Sequence, residues 1–161
     1  MDKKLVQAYN DQIKNELYSA YLYLSMAAYF ESENLTGFGH WMKVQAKEEI
    51  SHAMKMFDFL CDRGQRVMLE AISKPASTFS SPKEVFEEAL KHEKKVTGLI
   101  NSLYELSNQL KDNASLVFLG WFINEQVEEE KNPSAILEKI KMIKPDSGAL
   151  LILDEVLGKR E

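Results

Sequence analysis

The placement of glycine and proline constrains this chain more than any other feature of its sequence. Residues 3–33 contain neither, and the first glycine is Gly37, in Glu33-Asn34-Leu35-Thr36-Gly37. A second breaker-free run goes from His40 to Arg63 and ends at Gly64, a residue suited to closing a helix in the left-handed conformation. Residues 65–82 then carry Pro75, Pro82 and a Ser/Thr-rich patch from Ser77 to Ser81. The patch ends in Ser81-Pro82-Lys83-Glu84, which reads as a serine N-cap, a proline in the first helical position and a glutamate in the third. A third helix is predicted to about Lys111, a turn at Asp112-Asn113, and a fourth helix from Ala114 to about Ile143. Pro145-Asp146-Ser147-Gly148 stops it and leaves a short apolar segment, Ala149 to Leu157, before Gly158. With 7 Gly and 4 Pro in 161 residues, the chain favours long helices over sheets.

Side-chain spacing supports each run. Residues three and four apart share a helix face. The first run aligns Tyr9, Ile13, Glu16, Ala20, Tyr23 and Ala27; the second aligns Phe38, Trp41, Gln45, Glu49, His52, Met56 and Phe59. The third aligns Phe86, Ala89, Glu93, Val96, Ile100 and Leu103, and the fourth Leu119, Phe122, Gln126, Glu129, Ile136 and Ile140. Runs of about 24–30 residues give rods of roughly 36–45 Å. The first and third connections are a few residues long and so make antiparallel hairpins, whereas the middle one, about 18 residues, can travel back along a bundle. The expected architecture is a four-helix bundle over about residues 3–143, with one long crossover, followed by a short helix over about 147–157. A single domain over residues 1–161 is expected.

Each stripe carries the same anomaly. A bundle core should be apolar, yet every helix places a carboxylate near mid-length: Glu16, Glu49, Glu93 and Glu129. His52 stands three residues after Glu49, on the same face. Burying one bare carboxylate costs several kcal/mol or forces protonation, and four at one level repel each other. Two divalent cations between them would balance the four negative charges. Carboxylates with one imidazole and no thiolate suit iron or manganese better than structural zinc. Glu49, with two oxygens on the shared face, is the bridging ligand on this reading, and His52 caps one ion.

Composition excludes several alternatives. A net charge of −5 disfavours nucleic acid as a partner. No stretch approaches the roughly 20 apolar residues of a membrane span. Cys61 is the single cysteine, so no disulfide closes within the chain, and Met1-Asp2-Lys3-Lys4 leads into no secretory apolar segment. A cytoplasmic protein is expected.

Four segments carry a family resemblance: Asn15-Glu16-Leu17-Tyr18-Ser19-Ala20-Tyr21-Leu22-Tyr23, Gln45-Ala46-Lys47-Glu48-Glu49-Ile50-Ser51-His52-Ala53, Lys91-His92-Glu93, and Asn124-Glu125-Gln126-Val127-Glu128-Glu129-Glu130. In order and spacing they resemble the prokaryotic non-haem ferritins over essentially the whole chain. The resemblance implies an all-α, ferritin-like four-helix bundle. It implies that Glu16, Glu49 and His52 bind a first ferroxidase iron, and that Glu49, Glu93 and Glu129 bind a second with Gln126 close by. A third iron position would fall to Glu48, Glu125, Glu128 and Glu129, and Tyr23 matches a tyrosine that serves the family as an electron donor. Haem is not expected: Ile50 stands where the bacterioferritin haem-ligating methionine would be, and the fourth helix lacks a second Glu-x-x-His.

The implied function is oxidation of Fe(II) by dioxygen or hydrogen peroxide and storage of ferric oxyhydroxide in a homo-oligomeric shell of 24 subunits. The alternative is a di-iron peroxide scavenger without mineral storage. The stub Ala149-Leu150-Leu151-Ile152-Leu153 is expected to be buried against neighbouring subunits or to cap its own bundle, and Asp112 and Asn113 could line an iron entry pore. His40 and His92 lie off the stripes and are read as having no part in the site. Asn132-Pro133 follows Glu129 closely, and Pro133 removes the hydrogen bond to the Glu129 carbonyl, so a kink or an Asn-capped restart is expected there.

Overall fold

Helix formation starts wherever a side chain satisfies the free amides of a first turn. In the computed structural model, which describes residues 1–144 and 148–161, Asp2 caps α1 (Lys3–Ser32) by accepting from the Lys4 amide at 2.7 Å. Ser81 caps α3 (Pro82–Gln109) by accepting from the Glu84 amide, while the Glu84 carboxylate reaches back to the Ser80 amide. Asp112 caps α4 (Asn113–Met142) through the Ser115 amide at 3.0 Å. The remaining helices are α2 (Thr36–Asp62) and α5 (Ala149–Leu157).

Three of the long helices close in the same way. Residues Asn34, Gly64 and Lys111 take positive φ, and the following amides of Leu35, Gln65 and Asp112 return to the carbonyls of Phe30, Leu60 and Ser107. Gly64 announces such a closure by its residue type and Lys111 does not; the third helix ends at Gln109 instead of near Lys111.

The long connection runs back along α1. Met68 donates its amide to Asn10, Glu70 accepts from Lys14, and the Ala76 carbonyl accepts from Ser25. Phe79 then meets Tyr29. Contacts moving steadily up one helix are those of a crossover, so α1 and α2 form one antiparallel hairpin and α3 and α4 the other.

Two findings concern breakers. The second helix begins at Thr36, ahead of the breaker-free run from His40, and takes both Gly37 and Gly39 into its first turns. The reason is α5, which crosses α2 so closely that a Cβ on Gly37 would lie 1.8 Å from the Asp154 carbonyl oxygen. Asp154 also accepts the Phe38 amide at 2.8 Å. Pro133 neither ends nor restarts α4, which is helical from Asn113 to Met142 with Pro133 buried inside it. The expected stop at Pro145-Asp146-Ser147 lies outside the described residues. Helix α5 starts at Ala149 after Gly148, and buries Leu153 and Leu157 while leaving Leu151, Ile152 and Val156 exposed. Asp112 is held by both guanidinium nitrogens of Arg63, each at 2.9 Å, which pulls its carboxyl down to about 2 and ties the end of α2 to the start of α4.

The Gly37 contact decides the sign of a substitution. Alanine in a helix interior gains about 1 kcal/mol over glycine, but a carbonyl oxygen at 1.8 Å cannot rotate away. Gly37→Ala is expected to destabilise by about 1–3 kcal/mol through displacement of α5. Gly98→Ala, with nothing within 4 Å of its Cβ, is expected to stabilise by about 0.5–1 kcal/mol. Denaturant midpoints of the two variants check the opposite signs.

The core divides into two apolar clusters. One gathers Phe30, Phe38, Trp41 and Phe86 with the buried face of α5. The other gathers Leu5, Tyr9, Ile13, Met56, Leu60, Ile100 and Phe122. Glu16, Glu49, Glu93 and Glu129 belong to neither cluster although they are as buried as their members. The bundle therefore has a polar layer at mid-height. Among the described residues, no helix is long and apolar enough to cross a membrane.

Candidate metal centre

One residue position per helix builds the layer. Glu16 of α1, Glu49 of α2 and Glu93 of α3 are each 1% exposed, and Glu129 of α4 is 5% exposed. Their ligand atoms fall into overlapping triads. Glu16, Glu49 and His52 bring one oxygen or nitrogen each to within 4.8 Å of one another, and so do Glu49, Glu93 and Glu129. Glu49 belongs to both, so its carboxylate could serve two cations at once. These are the two ligand sets expected for the first and second metals.

Each donor is oriented by a neighbour. Gln12 donates to Glu16 at 2.8 Å and Gln45 donates to Glu49 at 3.1 Å, both from four residues upstream on the same helix. Gln45 Nε2 also reaches Glu129 Oε2 at 2.5 Å, linking α2 to α4. Tyr23, fully buried on α1, donates its hydroxyl to Glu93. His52 Nδ1 lies 3.5 Å from Glu49 Oε2, and its ring is flanked edge-on by Trp121 and Phe122. Gln126 is buried beside the layer, but its amide nitrogen turns to Thr97 and the Glu93 carbonyl.

Electrostatics marks the layer as unfinished by protein groups alone. Burial pushes the Glu16 carboxyl up to about 8, with the Glu49 charge adding to the effect. Burial, and then the carboxylate of a neighbour, likewise drives Glu49, Glu93 and Glu129 upward. Tyr23 is raised by burial and by Glu93. Glu16 Oε2 is buried with no hydrogen-bonding partner among the described residues. An unpartnered carboxylate oxygen on a residue grouped with Glu49 and His52 fits a cation-binding centre.

The residues expected at a third iron position divide. Glu125 and Glu129 share a third triad with His52, whose Nε2 lies 3.8 Å from Glu125. Glu48 lies outside that triad, paired with the Arg160 guanidinium, and Glu128 is exposed on α4. The off-stripe histidines hold local contacts. His92 lies 2.8 Å from Ser19 Oγ and is pushed down to about 4 by burial and Lys95; His40 Nε2 is 2.7 Å from the Arg160 carbonyl. Gln12, Gln45, Thr97 and Arg160 join the surroundings of the site without being among the residues that sequence reasoning assigns to it. The repeated Gln-x-x-x-Glu spacing on α1 and α2 is a readable signal for the first two.

An all-α bundle with a buried, carboxylate-rich, single-histidine cluster matches the pattern of helical-bundle proteins that can hold two metal ions. A family profile described as "Ferritin-like domain" matches residues 6–143. The chain is 39% identical over 160 residues to a bacterial non-heme ferritin of Bacteroides fragilis, covering 99% of each chain. It is equally identical to one from Staphylococcus aureus, of which it covers 96%. Among solved structures, an open-pore ferritin from the hyperthermophilic archaeon Archaeoglobus fulgidus superposes with a TM-score of 0.98 at 50% identity, over 100% of this chain and 98% of that one. A structure described as a humanized archaeal ferritin matches with the same score and identity over 99% of its length. The chain belongs to the ferritin family.

Proposed function

We propose that this chain is an iron-storage protein with ferroxidase activity: it oxidises Fe(II) at the intrasubunit centre and stores the ferric product as an oxyhydroxide mineral inside a shell of its own copies. The observation that carries this reading is the pair of buried triads joined at Glu49. Two ferrous ions there are neutralised by Glu16, Glu49, Glu93 and Glu129, which offsets the burial and mutual repulsion that raise their affinity for protons. Held together, the ions surrender two electrons to one oxidant, enough to take dioxygen to the peroxide level or hydrogen peroxide to water. The chain's residues hold and orient the ions; no general base or nucleophile is needed. On this reading Tyr23, hydrogen-bonded to Glu93, acts as an electron donor beside the centre.

Storage requires a container. Family membership supports it, as does the naming of a relative at 50% identity as an open-pore ferritin, since a pore belongs to an enclosure. The exposed Leu151, Ile152 and Val156 of α5 offer an apolar surface for a neighbouring subunit. A 24-subunit shell in the cytoplasm, where a lone cysteine stays reduced, is the assembly this reading adopts. The third iron would fall to Glu125, Glu128 and Glu129, with Glu48 on the same flank held by Arg160.

The test is anaerobic Fe(II) addition followed by air, with sizing and electron micrographs of the product. Oxidation well above the protein-free rate, with dense cores inside hollow particles, is the expected result. Rapid oxidation without cores would remove the storage claim and leave the peroxide scavenger; oxidation at the protein-free rate would remove both.

A further inference from the structure

Three residues beyond α5, Arg160 reaches across to the flank of the metal centre. Its Nη2 pairs with Glu48, and its Nη1 donates to Gln45 Oε1 at 3.0 Å and to the Trp41 carbonyl at 3.4 Å. The guanidinium lies over the Trp41 ring, 4.4 Å from its centroid. The Arg160 carbonyl in turn meets His40 Nε2 at 2.7 Å. A side chain gripped on these several sides and 19% exposed is docked, unlike a freely solvated surface arginine.

Two consequences follow from the guanidinium being donor-only. It can accept nothing, so the Gln45 oxygen faces Arg160 and the Gln45 nitrogen faces Glu49 and Glu129. Reversed, the same amide would set its oxygen against two carboxylates. Second, Glu48 is neutralised by a charge the chain itself carries. Two divalent ions balance the four buried acids and leave Glu48, Glu125 and Glu128 uncompensated, so a further cation would be drawn to this flank. Arg160 already occupies the Glu48 end of it.

We infer that Arg160 is a positioning residue acting as a tethered cation: it fixes the Gln45 amide toward the shared carboxylates and withholds Glu48 from metal, limiting how tightly the acidic flank takes a third cation. The inference rests on the two-metal reading of the centre and goes beyond it by assigning control of the third position to a residue outside the bundle.

Zn(II), which cannot be oxidised, is the probe. Calorimetric addition of Zn(II) to the assembled, metal-free protein is expected to show two tight equivalents per subunit and a weaker third. Arg160→Ala is expected to tighten the third step about tenfold. Arg160→Lys, which retains the charge, is expected to stay within about threefold of the parent. In a Glu48→Gln background, Arg160→Ala should have no effect on that step. If sizing shows that Arg160→Ala does not assemble, Arg160→Gln retains a side chain over Trp41 and reads the same step. A third step unchanged within twofold on loss of Arg160, or tightened equally by lysine, overturns the inference. Absence of the first two equivalents in the parent overturns the two-metal reading itself, and is seen in the same isotherm.

Discussion

Glu49→Gln is expected to slow Fe(II) oxidation more than about 100-fold while making the metal-free protein more stable. Glu49 is shared by both triads, so its loss removes a ligand from each ion and the bridge between them. Outer partners of metal ligands already matter about 10–100-fold, and a bridging ligand should exceed that. Stability moves the other way because burial, and then the charge of Glu129, disfavours the ionised Glu49 carboxylate. Glutamine keeps the shape and an oxygen for Gln45 but carries no charge, so a gain of about 1–3 kcal/mol at pH 8 is expected. Glu16→Gln touches one triad only and should retain binding of one ion of the pair. Stopped-flow oxidation with denaturant unfolding of the metal-free variants checks both halves. Loss of oxidation accompanied by loss of stability would mean that Glu49 is structural and not a ligand.

The two substitutions differ for a reason that periodicity makes visible. A stripe at spacings of three and four reports which residues share a face, and a carboxylate within such a stripe conflicts with burial unless something compensates it. That conflict alone groups Glu16, Glu49, His52, Glu93 and Glu129, and all of them lie in the buried layer. Long-range neighbours leave no such mark. Nothing in the local pattern accounts for Gly37 and Gly39, because α5 crosses there, with Asp154 lying 116 positions from Phe38 in sequence. Arg160 is silent for the same reason, its partner Glu48 lying 112 positions distant. Lys111 takes a left-handed conformation at φ 54, which its residue type does not announce. Pro133 fits a continuous helix because the single amide it removes faces one carbonyl of an otherwise intact ladder. Local rules predict its cost, and packing of the buried ring decides whether the cost is met. Glu125 and Glu128 lie on one helix, yet only Glu125 reaches His52; a sequence gives the turn of a helix but not which rotamer closes a site.

Metal should abolish the pH dependence of stability, and the window for seeing this is set by the titrating groups. In the metal-free protein Glu16 has its carboxyl raised to about 8 by burial and by Glu49, whereas in the unfolded chain it ionises near 4.5. Between those values the native state binds more protons than the unfolded state, so stability falls as pH rises and the loss is complete above about pH 8. His92 acts in the opposite sense, being lowered to about 4 by burial; its contribution is full above its unfolded value near 6.5 and fades below it. Asp112, lowered to about 2 by Arg63, matters only in stronger acid. From pH 6.5 to 8.5 the carboxylate effect therefore stands alone. One group raised to about 8 costs about 2 kcal/mol over that interval, and Glu49 and Glu129 add in the same direction. The metal-free protein is expected to lose at least about 4–8 °C in Tm across it. Bound Zn(II) must displace those protons, so its affinity climbs with pH. At fixed Zn(II) that gain in affinity offsets the loss seen without metal, so the Tm should stay nearly level over the same interval, and metal addition at pH 6.5 should release protons measurable in weakly buffered solution. Parallel Tm profiles with and without Zn(II), and no proton release, would mean that the buried acids are not where the metal binds.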